Sequence, residues 1–314
     1  MNQFDLSQFK SEVYAQMSAR GDKYKKMIWL VKSAKVIFFS PRFRLKRGDL
    51  LESYYLLMRH MDDVADGDTP LPEGYESPAD YLEAKIRFSE TRTEPSDAAD
   101  YLMLHCFDLA SRLGFKIDNE TSSIMRSMHF DAVRRLAAQK LPDSEEYGKM
   151  IIYPERKLHD HFHLLDIEGT VRGMIYVFGR DPDQLYHKIE PLGEASRIFY
   201  NLKDFPDDIR EGLENISRDD MDKYDIKPEE LEFMRKQFLR DREQSMAYDL
   251  EHRITTGVKN WFHDQARIGL DKIEESRRLR RNERIGLRAR VTLRVVYERP
   301  AEKFFENVLA TYAT

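Results

Sequence analysis

The stretch Tyr54-Tyr55-Leu56-Leu57-Met58-Arg59-His60-Met61-Asp62-Asp63-Val64-Ala65-Asp66 decides how the chain is read. Leu50, Leu51, Tyr54, Leu57, Met58, Met61 and Ala65 recur at helical spacing. An α-helix turns about 100° per residue, so Tyr55, Arg59, Asp62 and Asp66 share one face, three or four residues apart. Two carboxylates one turn apart repel unless a cation lies between them. A hard divalent ion such as Mg²⁺ suits that position, because it takes oxygen ligands and keeps waters that a substrate phosphate can replace. A solvated helix end is the plainer reading of one D-x-x-x-D, and a second copy further along the chain weighs against it.

The chain has 314 residues, of which 41% are apolar and 34% charged, with only 14 Gly and 12 Pro. That composition fits a soluble, mainly helical protein. A formal charge of −5 gives no reason to expect a nucleic-acid partner. The single cysteine, Cys106, excludes an intramolecular disulfide and fits a reducing compartment. Residues 1–20 carry acids early and no apolar core, unlike a secretory signal. The run from Met27 to Phe39 is interrupted by Lys32 and Lys35 and is too short to span a bilayer. The expectation is a cytoplasmic protein.

Helices are expected at 8–20 and 22–39, with Gly21-Asp22 between them and Ser40-Pro41 ending the second. Gly67 ends the motif helix, and residues 68–78 form a loop, either a lid or a connector. Further helices are expected at 79–90, 97–113 and 119–140. The last carries Met125, Met128, Val133 and Leu136 as its apolar stripe, with Asp131 as a polar inward residue. After a break from Pro142 to Pro154 come helices at 155–178 and 183–205, the second opened by Arg180-Asp181-Pro182-Asp183. Gly212 ends that run, Pro228 opens a helix running past Tyr248, and a charged helical tail fills 257–312. No strand-period segment, long repeat or low-complexity tract is present, so the expectation is one all-α domain over 1–314.

The second carboxylate pair lies roughly 140 residues after the first, in Leu192-Gly193-Glu194 … Arg197 … Asn201-Leu202-Lys203-Asp204-Phe205-Pro206-Asp207-Asp208. Arg197, Asn201, Asp204 and Asp208 would share a face, except that Pro206 should kink or end the helix between the two aspartates. Two such helices facing across a bundle would make a carboxylate cage for several Mg²⁺ ions and a diphosphate above an apolar cavity.

These two motifs resemble those of the squalene/phytoene synthases, the head-to-head trans-prenyltransferases. Tyr55 to Asp66 reads as that family's first aspartate-rich helix, and Leu192-Gly193-Glu194 with Asn201 to Asp208 as its second. Ser33 to Phe38, Glu168-Gly169-Thr170-Val171-Arg172-Gly173, and Gly212 to Met221 resemble lesser elements of the family in the same order. The resemblance covers roughly residues 30–300. It implies a class I isoprenoid-synthase bundle with a central apolar cavity. It also implies two or three Mg²⁺ ions held by Asp62, Asp63, Asp66, Asp204, Asp207, Asp208 and Asn201. Arg59, Lys203 and Arg197 would contact diphosphate, and Tyr55 the cavity mouth. The implied activity ionises farnesyl or geranylgeranyl diphosphate and condenses two molecules to a C30 or C40 isoprenoid. NADPH is compatible with that activity but is not indicated by any motif.

The chain departs from the family pattern at several of these places. Arg197 and Tyr200 stand where Gln and the metal-binding Asn are usual, with Asn201 displaced by one residue. Lys203 replaces an Arg, Pro206 a Gly and His163 a Tyr, and Gly212-Leu213-Glu214-Asn215-Ile216-Ser217 replaces a G-R-x-Y-L-P segment. Two other readings follow: a terpene-synthase-like enzyme acting on one prenyl diphosphate, and a non-catalytic relative serving as an assembly or binding protein. His159 and His163, one turn apart, lack a third ligand at metal-site spacing. The basic stretch from Arg277 to Arg294 is either a solvated helix face or a surface for anionic membrane lipids; without aromatic interleaving it does not read as a nucleic-acid site.

Overall fold

The computed structural model describes residues 5–38, 47–140, 151–243, 253–283 and 285–312. Among these residues every regular element is helical and none is a strand. In chain order they are α1 (Leu6–Ala19), α2 (Asp22–Phe38), α3 (Arg47–Ala65), α4 (Pro78–Thr91), α5 (Ala98–Arg112), α6 (Asp118–Lys140) and α7 (Glu155–His159). A π-helical stretch (Asp160–Ile167) leads into α8 (Glu168–Phe178), followed by α9 (Pro182–Lys203), α10 (Phe205–Arg210), α11 (Arg218–Tyr224) and α12 (Pro228–Glu243). The tail holds α13 (Thr256–Arg280), α14 (Leu287–Thr292), a second π-helical stretch (Leu293–Glu298) and α15 (Arg299–Thr311). The expected break at Ser40-Pro41, most of the expected break from Pro142 to Pro154, and the run past Tyr248 lie outside the described residues.

The chain groups into two compact units. One comprises Met1–Ala132 with Glu168–Tyr186, the other Val133–Ile167 with His187–Thr314. The division falls inside α6 and inside α9, so it follows no linker.

In the first unit α3 is the hub, packing on α1, α2, α4, α5 and α8. Its inward face carries Leu50, Ser53, Leu56, Leu57, His60, Met61 and Val64, all buried. Glu52 fastens three helices together: its carboxylate accepts hydrogen bonds from Tyr14 Oη (3.1 Å) on α1 and Lys35 Nζ (2.7 Å) on α2. The backbones of α2 and α3 approach so closely that a Cβ on Gly48 would stand 2.1 Å from the Lys35 carbonyl oxygen. Between α4 and α5, Lys85 is buried against Asp97 (2.7 Å) and Asp100 (2.8 Å). Burial alone would lower the Lys85 pKa, and the two carboxylates more than offset it. Cys106 is fully buried in α5 and its thiol is pushed up to about 12 by desolvation, which makes it an inert core group.

In the second unit α13 packs on α11 and α15, and α10 on α12. The tail is not a uniform charged helix. Arg277 and Arg280 of α13 and Arg294 of the second π stretch converge on Glu298, which is 3% exposed. The α6 stripe also differs from the sequence expectation. Val133 is 42% exposed, whereas Arg134 beside it is 1% exposed. Asp131 is half-buried.

The Gly48 contact is with backbone and cannot be relieved by a side-chain rotation. Gly48→Ala is expected to destabilise the protein by about 2 kcal/mol, read from the urea midpoint at unchanged m-value.

Candidate functional site

The two carboxylate motifs fall in different units, Asp62 to Asp66 in the first and Asp204 to Asp208 in the second. In the first, α3 ends at Ala65, and Gly67 takes φ +75°, the left-handed turn that closes a helix without a Cβ clash. Asp62 and Asp66 leave the final turn from the same side. Arg59, one turn earlier, donates from Nη1 to Asp62 Oδ2 at 2.7 Å and from Nη2 to Asp63. Asp63 is 1% exposed and also accepts from Arg20 at the end of α1; Arg20 in turn reaches Asp68. The Tyr24 ring lies against both guanidiniums, 4.2 Å from Arg20 and 5.4 Å from Arg59. Burial lowers the Arg59 pKa, and Asp62 and Asp63 raise it by more. Tyr55 is half-buried on the same helix. Arg20, Tyr24 and Asp68 had no sequence signal, because Arg20 meets Asp63 only through the packing of α1 on α3.

In the second motif α9 stops at Lys203 and Phe205 starts α10, with Pro206 in its first turn. This follows from proline chemistry: at a helix start the missing N–H interrupts nothing. Asp204 sits at the junction, φ −95° and ψ 5°, with Lys203 Nζ 2.9 Å from its Oδ1. Asp207 pairs with Arg210 at 2.8 Å. Asp208 Oδ2 accepts from Asn215 Nδ2 (2.9 Å), and Asn215 Oδ1 accepts from both terminal nitrogens of Arg134 at 3.1 Å. Arg134 also donates to the Glu214 carbonyl at 2.5 Å.

Glu214 itself is wholly buried. One carboxyl oxygen accepts from the Ile216 N–H at 2.6 Å, while Oε2 has no hydrogen-bond partner among the described residues. Desolvation raises its pKa to about 8. Arg197 does not join this group: it approaches Asp166 at 3.4 Å and stacks over Phe162 at 4.1 Å. Asn201 Oδ1 is buried and has no hydrogen-bond partner among the described residues.

His163 lies between two glutamates of α9, with Glu190 2.9 Å from Nε2 and Glu194 3.5 Å from Nδ1. Lys272 approaches the other oxygen of Glu194 at 2.5 Å. The rings of His159 and His163 stack at 4.8 Å and 17°, so they lie face to face. Glu168-Gly169-Thr170-Val171 acts as a packing element: a Cβ on Gly169 would stand 2.9 Å from Ile124 Cγ1 and 3.0 Å from the Glu120 carbonyl of α6.

The donor chemistry fits Mg²⁺ in part. Asp62 and Asp204 keep 37% and 36% of their side chains exposed, which leaves oxygen edges for a ligand. Asp66, Asp208 and the orphaned Asn201 oxygen are of the same hard type. Asp63 does not fit, because two guanidiniums enclose it, and Asp207 is committed to Arg210. Among the described residues no group of three or more His, Cys, Asp or Glu side chains is arranged to hold a metal. Ligation by one or two carboxylates, completed by water and phosphate, is the form Mg²⁺ commonly takes. Comparison with protein-family models and with curated proteins returns no match.

Two outcomes separate the buried carboxylate from the outer one. Asp63→Ala should cost about 3 kcal/mol in urea denaturation by removing the buried partner that joins Arg20 to Arg59, which would keep only Asp68 and Asp62, whereas Asp62→Ala should change stability by about 1 kcal/mol or less. Glu214 binds a proton in the folded state between its ordinary value of 4.5 and about 8. The unfolded chain has lost that proton, so this residue makes stability fall as pH rises through the window. The stability gained by Glu214→Gln over the parent should grow by about 1.4 kcal/mol per pH unit from about 5 to 8, measured by denaturation at each pH.

Proposed function

We propose that the protein is a Mg²⁺-dependent prenyltransferase that ionises prenyl diphosphates and joins two of them head to head, with farnesyl or geranylgeranyl diphosphate as substrate. One observation carries this reading. Each of two D-x-x-x-D motifs stands at a helix end with its first carboxylate held by a neighbouring cation, Asp62 by Arg59 and Asp204 by Lys203, and each of these carboxylates keeps an exposed edge. A pair used only for structure has no need of that edge.

In one unit Asp62 and Asp66, and in the other Asp204 and Asp208 with Asn201, would each hold metal. When bound, Mg²⁺ neutralises charge that develops on the departing diphosphate. Within its own unit, Arg59 beside Asp62 and Lys203 beside Asp204 would each offer N–H donors to a diphosphate, and each is positioned by its aspartate before substrate arrives. Apolar side chains would shield the resulting allylic cation from water; the double bond of the second prenyl diphosphate would capture it and lose a proton, giving a cyclopropylcarbinyl diphosphate whose own diphosphate leaves on rearrangement to the hydrocarbon. Lys203 offers a point charge where an arginine would offer a fork, so its contact with phosphate is less directional.

Ionisation of a single prenyl diphosphate, followed by cyclisation or quenching, is the second reading. It is favoured by the engagement of Arg197 with Asp166 and of His163 with Glu190 and Glu194, at positions where the resemblance assigns contacts for the second substrate and third metal.

Purified full-length protein incubated with Mg²⁺ and geranyl, farnesyl or geranylgeranyl diphosphate, with and without NADPH, should yield a C30 or C40 product. The Asp62→Ala, Asp204→Ala double variant should yield none. A product with the carbon count of one substrate would move the assignment to the second reading. No turnover, together with no thermal stabilisation by Mg²⁺ and pyrophosphate, would overturn both and leave a binding protein. A bound pair at a hundredfold excess over Kd should contribute about 2.7 kcal/mol.

A further inference from the structure

We infer that the outward face of α14 and of the π-helical stretch after it is a docking surface for an anionic lipid bilayer. This does not depend on the prenyl-transfer reading. The segment Ile285-Gly286-Leu287-Arg288-Ala289-Arg290-Val291-Thr292-Leu293-Arg294-Val295-Val296-Tyr297 contains three arginines and no acid, in a chain whose net charge is −5. It is apolar on two opposite sides. Ile285, Ala289 and Leu293 are 6%, 4% and 0% exposed and supply the inward contact. Leu287, Val291 and Val295 are 77%, 49% and 48% exposed. Two residues of helix amount to about 200°, so the second stripe points away from the first. The core needs only one of them.

The charges around the outer stripe identify its occupant. Arg288 and Arg290 are exposed, fall on either side of the stripe, and have no acidic partner among the described residues. Arg294 is tied instead to Glu298 (3.0 Å) and Glu302 (2.9 Å), and Arg277 and Arg280 also pair with Glu298. The basic stretch therefore divides into an internal network and an outward-facing pair. Short aliphatic side chains between unpaired guanidiniums suit the acyl–headgroup boundary, where the stripe enters hydrocarbon and the arginines meet lipid phosphate and carboxylate. A second copy of the chain fits less well, since a two-fold contact would bring the same arginines together. The contact is peripheral: among the described residues no helix is long and apolar enough to cross a membrane.

Flotation of the full chain with phosphatidylcholine vesicles, with and without phosphatidylserine, tests the proposal. Binding is expected only with phosphatidylserine, and should weaken roughly fivefold for each of Arg288→Gln and Arg290→Gln. The triple variant Leu287→Ser, Val291→Ser, Val295→Ser should lose binding while keeping its circular dichroism and urea midpoint. Absence of parental binding to phosphatidylserine vesicles would overturn the proposal, as would undiminished binding by the serine variant. Self-association in light scattering that the serine variant abolishes would instead assign the stripe to a dimer.

Discussion

The buried carboxylate of Asp63 is the constraint on which the first unit depends. It sits at the end of α3, the helix against which five others pack, and receives Arg20 from α1 and Arg59 from its own helix. A carboxylate at 1% exposure is tolerated only with its charge matched, and two guanidiniums converging on its Oδ1 supply that. The consequence reaches the candidate site. Because Nη2 of Arg59 is fixed on Asp63, Nη1 is fixed on Asp62, and the exposed carboxylate is oriented by the buried one.

The second unit solves a similar electrostatic problem by a different route. Pro206 breaks the helix after Lys203, so the carboxylates after it are held by a turn and a loop rather than by a continuous helix. Asp208 is linked through Asn215 to Arg134, and Glu214 next to that arginine is buried with no hydrogen-bond partner for its Oε2 among the described residues. Desolvation and the nearby Asp208 charge favour the neutral acid, and Arg134 opposes them only in part. Here neutralisation comes from a retained proton, where in the first unit it comes from a second arginine.

Local chemistry was legible in the sequence, and long-range partnership was not. Gly67, Pro182, Pro206 and Pro228 mark helix ends or starts because each acts on its own backbone, and the structure places boundaries beside them. Cys106 reads as a core residue from its neighbours alone. The α6 stripe was misjudged at Val133, because Arg134 finds Asn215 and the Glu214 carbonyl some 80 residues away and can be buried there. Arg20 gave no signal for the same reason. The run from Arg277 to Arg294 reads as uniform because composition does not reveal that three of its arginines converge on Glu298 beyond its end. The first π-helical stretch changes the angular step within a helical run, 155–178, whose extent is readable, whereas the expected helical tail over 257–312 is broken between Arg280 and Leu287 ahead of the second.

Helix phase, more than motif, sorts the charges of this chain. Asp62 and Asp66 differ by about 40° around α3, whereas Asp63 is turned about 100° from Asp62 toward the side that carries His60 and Val64. Three carboxylates within five residues thus divide into one that holds helices together and two at the exposed rim. The tail divides in the same way: Leu287, Val291 and Val295 face outward because Ile285, Ala289 and Leu293 have already satisfied the core. A carboxylate pair or an arginine cluster reports an available site only after the apolar residues of its helix have fixed which way it turns. By that criterion Asp62, Asp66, Arg288 and Arg290 turn away from the core of their helices, while Asp63, Arg277 and Arg280 belong to the framework.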